Sequence, residues 1–177
     1  MNVIESARNK IASPLIKKVS CSESQDIKTL LKNIASGKTV ILKNRIHNLQ
    51  KPCAVGKGLR RKVNVNIGGS TDISSISDEL KKLEVSIQYG ADTIMDLSVG
   101  ENIKEIRKAI LAHSSIPVGT VPIYEAAQEA ERKYGKFAGM SKNSILEVIE
   151  RQAEEGVDFF TVHCGITQAA ISRLREQ

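Results

Sequence analysis

The chain has no tryptophan, only three phenylalanines and three tyrosines, and three cysteines. Cys21, Cys53 and Cys164 are too few and too scattered for a disulfide framework, so a reducing, cytoplasmic setting is expected. No apolar run approaches the roughly 20 residues of a spanning helix, and no signal-peptide core follows Met1, so no membrane partner is expected. CxxC, HExxH and spaced carboxylate pairs are also missing, and with them any complete metal motif. What is present is a chain of 177 residues, 41% hydrophobic and 26% charged, long enough to bury a core without staples.

Charge is unevenly spread. Residues 1–62 hold 14 Lys/Arg against 3 Asp/Glu, whereas residues 63–177 hold 12 against 17. The division is placed between a basic, mainly helical segment, 1–61, and a remainder, 62–177. The basic segment either meets something anionic, the acidic remainder included, or is a lysine-rich, solvated, partly mobile arm; the arm is the plainer expectation. Nucleic acid is disfavoured, because no aromatic stands among these basic residues and no binding motif occurs.

Ile27, Leu30, Leu31 and Ile34 recur at helical spacing within a run of short helices over 5–35, and a β-prone stretch, Thr39–Leu42, follows. Pro52 to Lys62 is punctuated by Gly56 and Gly58 and reads as a linker or a phosphate-friendly loop. Beyond it strands and helices alternate. Strands are expected at Val63–Ile67, Asp92–Leu97, Ile116–Val121 and Gly156–Val162, and the first is broken by Gly68-Gly69-Ser70-Thr71. Helices are marked by Ile76/Leu80/Leu83/Ile87, by Ile103/Ile106/Ile110, near Tyr124–Tyr134, and after a capping box at Ser144–Glu147; a last helix closes the chain. The joints Tyr89-Gly-Ala-Asp92 and Glu155-Gly-Val-Asp158 match, as stacked βα units should.

This alternation predicts an α/β fold with a mostly parallel sheet. An open doubly wound sheet is the runner-up, but no GxGxxG follows the first strand. Each strand ends in polar groups: Asn64, Asn66 and Ser70; Asp96 and Ser98; Thr120 and Tyr124; His163 and Cys164. That pattern favours the active face of a (β/α)8 TIM-type barrel, of which only the first four βα units are present. Asn66, near its loop, is a better ligand candidate than Asn64. Met95 points away from Ile94 and Asp96 and is assigned to packing. Asp96 either works at the site or merely caps the loop after it. His163 handles a ligand or proton, or is a satisfied buried histidine; Cys164 beside it is a weak hint of a metal or nucleophile.

Four segments stand in order: Lys62-Val-Asn-Val-Asn-Ile-Gly68, Gly90-Ala-Asp-Thr-Ile-Met-Asp-Leu-Ser98, Pro117-Val-Gly-Thr-Val-Pro-Ile-Tyr124 and Gly156-Val-Asp-Phe-Phe-Thr-Val-His-Cys-Gly165. Together, and with Gly56-Lys-Gly58-Leu-Arg60 before them, they resemble the ThiC family of thiamine biosynthesis, the phosphomethylpyrimidine synthases. The resemblance implies a radical S-adenosylmethionine carbon–carbon lyase that converts aminoimidazole ribotide into hydroxymethylpyrimidine phosphate. It implies that Asn66, Met95, Tyr124 and His163 line the ribotide pocket. It also implies a [4Fe–4S] cluster, S-adenosylmethionine and a divalent metal such as zinc. The family's Ser-Arg-Gly turn, Asp-Gly-Leu-Arg motif, metal-binding histidines and cysteine motif are not in these residues, and residue 177 falls where a fifth strand would begin. An N-terminal fragment, inactive alone, is therefore expected, which self-associates as a homo-oligomer or joins the missing C-terminal half. A sister enzyme making a hydroxybenzimidazole from the same ribotide, and a non-catalytic self-associating half-barrel, are the alternatives.

Overall fold

A computed structural model describes residues 1–70 and 75–175. Thr71, the end of the glycine-rich break, lies outside the described residues.

Three short helices come first: α1 (Val3–Arg8), α2 (Pro14–Ser22) and α3 (Ile27–Ala35). Each has a side-chain cap: Asn2 in a reciprocal box with Glu5, Ser13 ahead of Pro14, and Asp26 accepting from the Thr29 amide. Their apolar faces meet in a buried cluster of Ala7, Ile16, Val19, Leu30, Leu31 and Ile34, closed by Ala54. Ala54 corrects the linker expectation. Cys53–Gly56 (β2) pairs antiparallel with Thr39–Leu42 (β1), Thr39 opposite Gly56 and Leu42 opposite Cys53. Gly56 is required both by its φ of +147° and by close approach, since a Cβ there would overlap the Lys38 carbonyl oxygen. The basic segment is thus folded on a core of its own, not laid out as a solvated arm.

The remainder runs β3 (Asn64–Ile67), α4 (Ile76–Gln88), β4 (Thr93–Asp96), α5 (Ile103–His113), β5 (Val118–Thr120), α6 (Pro122–Tyr134), α7 (Lys142–Glu155), β6 (Phe159–Phe160) and α8 (Gln168–Arg175). The four strands lie in the order β3-β4-β5-β6, all parallel, so the order rises along the sheet without reversing. Among the described residues this is an α/β sheet with β3 and β6 at its edges, not a closed barrel. Alternation divides its faces. Val65, Ile67, Ile94, Val118 and Phe160 pack with Leu83 of α4 and Ile106, Ile110 and Leu111 of α5. The capping box of α7 sits one turn earlier than expected: Ser141, not Ser144, is the N-cap, and the two exchange amide-to-hydroxyl bonds of 3.0 Å. Ser141 is the first hydroxyl after the 3-10 turn at Phe137–Gly139, so the helix starts there.

The basic segment packs on the amino-terminal ends of the strands, and the matched joints are where it attaches. Asp92, just before β4, accepts from the Val63 amide at 2.8 Å and from both terminal nitrogens of Arg60. Asp158, just before β6, accepts from the Val118 amide at 2.8 Å and the Asn44 amide at 2.7 Å, while His47 Nδ1 lies 2.6 Å away. Each aspartate therefore ties its own strand to the preceding strand and to the basic segment. A lysine-to-glutamate pair, Lys62 with Glu23 at 2.8 Å, ties the start of the remainder to the end of α2.

Candidate functional site

At the carboxyl ends of the strands, Asn66, Met95, Gly119 and Phe159 form one cross-strand row, each the register partner of the next. Alternation sets this row on the face opposite the helix-packed core. Asn66 is exposed, and its Oδ1 accepts from Asn64 Nδ2 at 3.0 Å. Asn64 is held in turn by the Thr93 hydroxyl at 2.8 Å. Met95 is buried, and its sulfur lies 3.9 Å from the Thr161 hydroxyl. It lies beside Asn66 on the face opposite Ile94 and Asp96, as alternation predicts, and its burial is compatible with packing. Gly119 has no room for a side chain, because a Cβ would overlap the Phe159 ring.

Tyr124 lies in the first turn of α6 and is partly exposed. His163 and Cys164 are exposed in the stretch between β6 and α8, so His163 is not a satisfied buried histidine. Asn66 and Met95 are brought together by register; Tyr124 and His163 follow β5 and β6 at the same end of the sheet. Thr120, a strand-end candidate, instead faces the helices and donates to Gln152 Oε1 at 2.6 Å.

Beneath the strand ends lies a buried polar layer that periodicity did not reveal. Glu125, at the start of α6, accepts from Arg107 at 2.8 Å, Gln152 at 2.6 Å and Arg151 at 2.9 Å. Burial pushes the Glu125 carboxyl up, but Arg107, Gln152 and Arg151 outweigh it and hold the group below the usual carboxylate range. This network anchors the turn that carries Tyr124. Its signal was in the sequence: Arg107 stands four residues after Ile103 and four before Leu111, a charge on the apolar stripe of α5. Asp96 faces the same side; burial pushes its carboxyl up, partly countered by the bonds from Ser98. Glu79, also buried, accepts from the Gly68 amide at 2.7 Å and from Lys82 at 2.6 Å.

Among the described residues no group of three or more His, Cys, Asp or Glu is placed to hold a metal ion. Cys21 and Cys164 are exposed and Cys53 is buried, and burial pushes the Cys53 thiol up to about 11, away from the thiolate that a cluster binds. These residues do not fit an iron–sulfur cluster. Among the described residues no helix is long and apolar enough to cross a membrane.

Compared with known proteins, residues 2–177 match the family model described as the radical SAM ThiC family. The chain belongs to that family. Relatives named phosphomethylpyrimidine synthase include one from Methanococcus maripaludis strain S2, 49% identical over 174 residues, which is 98% of this chain. Those of Moorella thermoacetica and Methanocaldococcus jannaschii are 44% and 47% identical over 100% and 99% of it. In each case this ThiC-family chain spans only 41% of the relative's length.

Proposed function

We propose that this chain is the N-terminal part of a phosphomethylpyrimidine synthase and supplies the first four βα units of a (β/α)8 barrel. In that barrel the open face of the sheet looks inward. Asn66 and Met95 line the wall of a pocket for aminoimidazole ribotide, and Tyr124 and His163 enter it from the loops after β5 and β6. Asn66 offers both a donor and an acceptor to the ribotide's polar edges, Met95 a polarizable apolar contact, and Tyr124 and His163 further hydrogen bonds. What carries this reading is the register that sets Asn66 beside Met95 in a chain matching the family over residues 2–177. The sheet order, which rises without reversing, suits a singly wound barrel.

No residues here fit the cluster, so the work of this chain in the reaction is to bind and orient the ribotide. The [4Fe–4S] cluster, S-adenosylmethionine and divalent metal of the family supply the radical chemistry and are held by residues outside this chain. The names of the relatives favour the pyrimidine product over a benzimidazole. The test is turnover and ribotide affinity with this chain joined to the C-terminal part of a relative. His163→Ala is expected to weaken ribotide binding at least tenfold while leaving the unfolding midpoint within about 1 °C, because the side chain is exposed. Unchanged affinity and turnover would remove His163 from the site, and a hydroxybenzimidazole product would overturn the assigned reaction.

A further inference from the structure

Asn66 is followed within two residues by a turn whose backbone is held from two directions. The Gly68 amide donates to Glu79 of α4 at 2.7 Å, and the Gly69 amide donates to the Ser98 hydroxyl at 3.2 Å. Ser98 lies just past β4, and its own partner is Asp96: Oδ1 accepts from the Ser98 amide at 2.9 Å and from its hydroxyl at 2.5 Å. Asp96 and Ser98 are both buried, at 5% and 2% exposure, so none of these groups trades freely with water. Two backbone bonds run alongside, Leu97 N–H to the Ile67 carbonyl at 2.8 Å and Val99 N–H to the Gly69 carbonyl at 2.9 Å. The approach is close enough that a Cβ at Gly68 would overlap the Ser98 backbone nitrogen.

The chemistry gives this chain of bonds a direction. A serine hydroxyl has one proton to donate and lone pairs with which to accept, whereas an ionised carboxylate only accepts. Committing the Ser98 proton to Asp96 Oδ1 leaves the lone pairs for Gly69, and the O–H···O contact is short. Without Asp96 the hydroxyl is free to rotate and to turn its proton toward another acceptor, and the Gly69 amide loses its fixed partner.

We propose that Asp96 is a positioning residue which, through the Ser98 hydroxyl, fixes the turn after β3 and so the presentation of Asn66 on the open face. This rests on the reading of that face as the ribotide wall. A buried carboxylate is costly, and burial pushes the Asp96 carboxyl up as that cost implies.

The test is the amide spectrum and hydrogen exchange of Gly68 and Gly69 in the 15N-labelled chain. Ser98→Ala should speed Gly69 exchange roughly fivefold, the worth of one backbone-to-side-chain bond, and leave Gly68, held by Glu79, unchanged. Asp96→Ala should do the same, and the double variant should be no worse than either single one, because both act through one hydroxyl. Asp96→Asn, whose Oδ1 can still accept, and Ser98→Thr, which keeps the hydroxyl, should restore protection. Should Asp96→Ala not fold, the Ser98 pair tests the bond without touching the carboxylate. A Gly69 amide indifferent to Ser98→Ala, or effects of Asp96→Ala and Ser98→Ala that multiply, would overturn the proposal. These measurements need no ligand, so a wild-type chain that passes them yet fails to bind ribotide with its C-terminal part restored overturns the reading of the face and not the relay. Conversely, ribotide affinity unchanged in Ser98→Ala while Gly69 is released would sever the relay from Asn66.

Discussion

Replacing Asp158 by Asn changes one atom and no volume, yet it should be among the more damaging conservative changes in this chain. The Asp158 side chain is fully buried and accepts at both oxygens: the Asn44 amide on Oδ1, the Val118 amide and His47 on Oδ2. Asparagine keeps one acceptor and turns an NH2 group on the other side toward a donor. At least one bond to a charged group is lost and one buried N–H is left facing another. The first loss is worth about 1.5–3 kcal/mol and the second about 1–3 kcal/mol, so about 2.5–6 kcal/mol in all is expected. With a urea m-value of about 2 kcal/mol/M for a chain of this size, the midpoint should fall by at least about 1.2 M at unchanged slope. Asp92→Asn makes the internal comparison. Its partner Arg60 is 53% exposed at the side chain and can turn to water, so the cost there should be smaller, about 1–2 kcal/mol. A midpoint for Asp158→Asn within about 0.25 M of the parent, or a larger loss at Asp92 than at Asp158, would refute the idea that the paired joints hold the basic segment to the sheet.

Glu125→Gln should cost about 1.5–3 kcal/mol, since Arg107, 1% exposed, loses one of its two charged partners and keeps Glu155; urea unfolding at neutral pH measures it. Because the Glu125 carboxyl is held below its ordinary value of 4.5, its contribution is present above that pH and is lost as pH falls through the folded value; the gap between parent and variant should narrow on acidification. Gly119→Ala should destabilise by about 1–3 kcal/mol, because the new methyl group displaces the Phe159 ring; a thermal midpoint unchanged from the parent would contradict the close stacking. Ser141→Ala should cost about 1 kcal/mol, and Glu147→Ala under about 0.5 kcal/mol, which denaturant unfolding distinguishes; the reverse order would restore the cap to Ser144.

Most of the βα grammar was legible because it rests on period. Ile76, Leu80, Leu83 and Ile87 mark α4, and the apolar alternation of Val65 and Ile67 against Asn64 and Asn66 marks β3 and its two faces. Strand β2 was not legible. Its four residues lie between Pro52 and Gly58, and local punctuation outweighs so short a run; only the pairing with β1 and the burial of Ala54 against α2 and α3 make it a strand. The α7 cap shows the same limit, since Ser141 and Ser144 are chemically equivalent starts and the preceding turn decides between them. At the candidate site, alternation alone could set Asn66 and Met95 on one side of their strands, but not make them neighbours. That needed the register of β3 on β4, which no single strand encodes.

The buried polar groups were the least legible part, and their cost suggests why they are there. A buried ion pair is often replaceable by apolar residues with no loss of stability, so stability alone does not account for Glu125 with Arg107, or for Glu79 and Asp96 beneath the turn after β3. What an apolar substitute could not supply is direction. Glu79 and the Ser98–Asp96 pair fix two successive amides close after Asn66, and Glu125 fixes the first turn of α6 beside Tyr124, both residues that the proposed function assigns to the pocket. Asp92 and Asp158 do the corresponding work at the opposite ends of the strands, where the partners are Arg60 and His47 of the basic segment. The charge imbalance along the chain is therefore resolved at a few directed contacts and not by a general attraction between a basic and an acidic half. Most lysines of the first 62 residues have no part in it, so raising the salt concentration should weaken the docking of the segment far less than removing either aspartate.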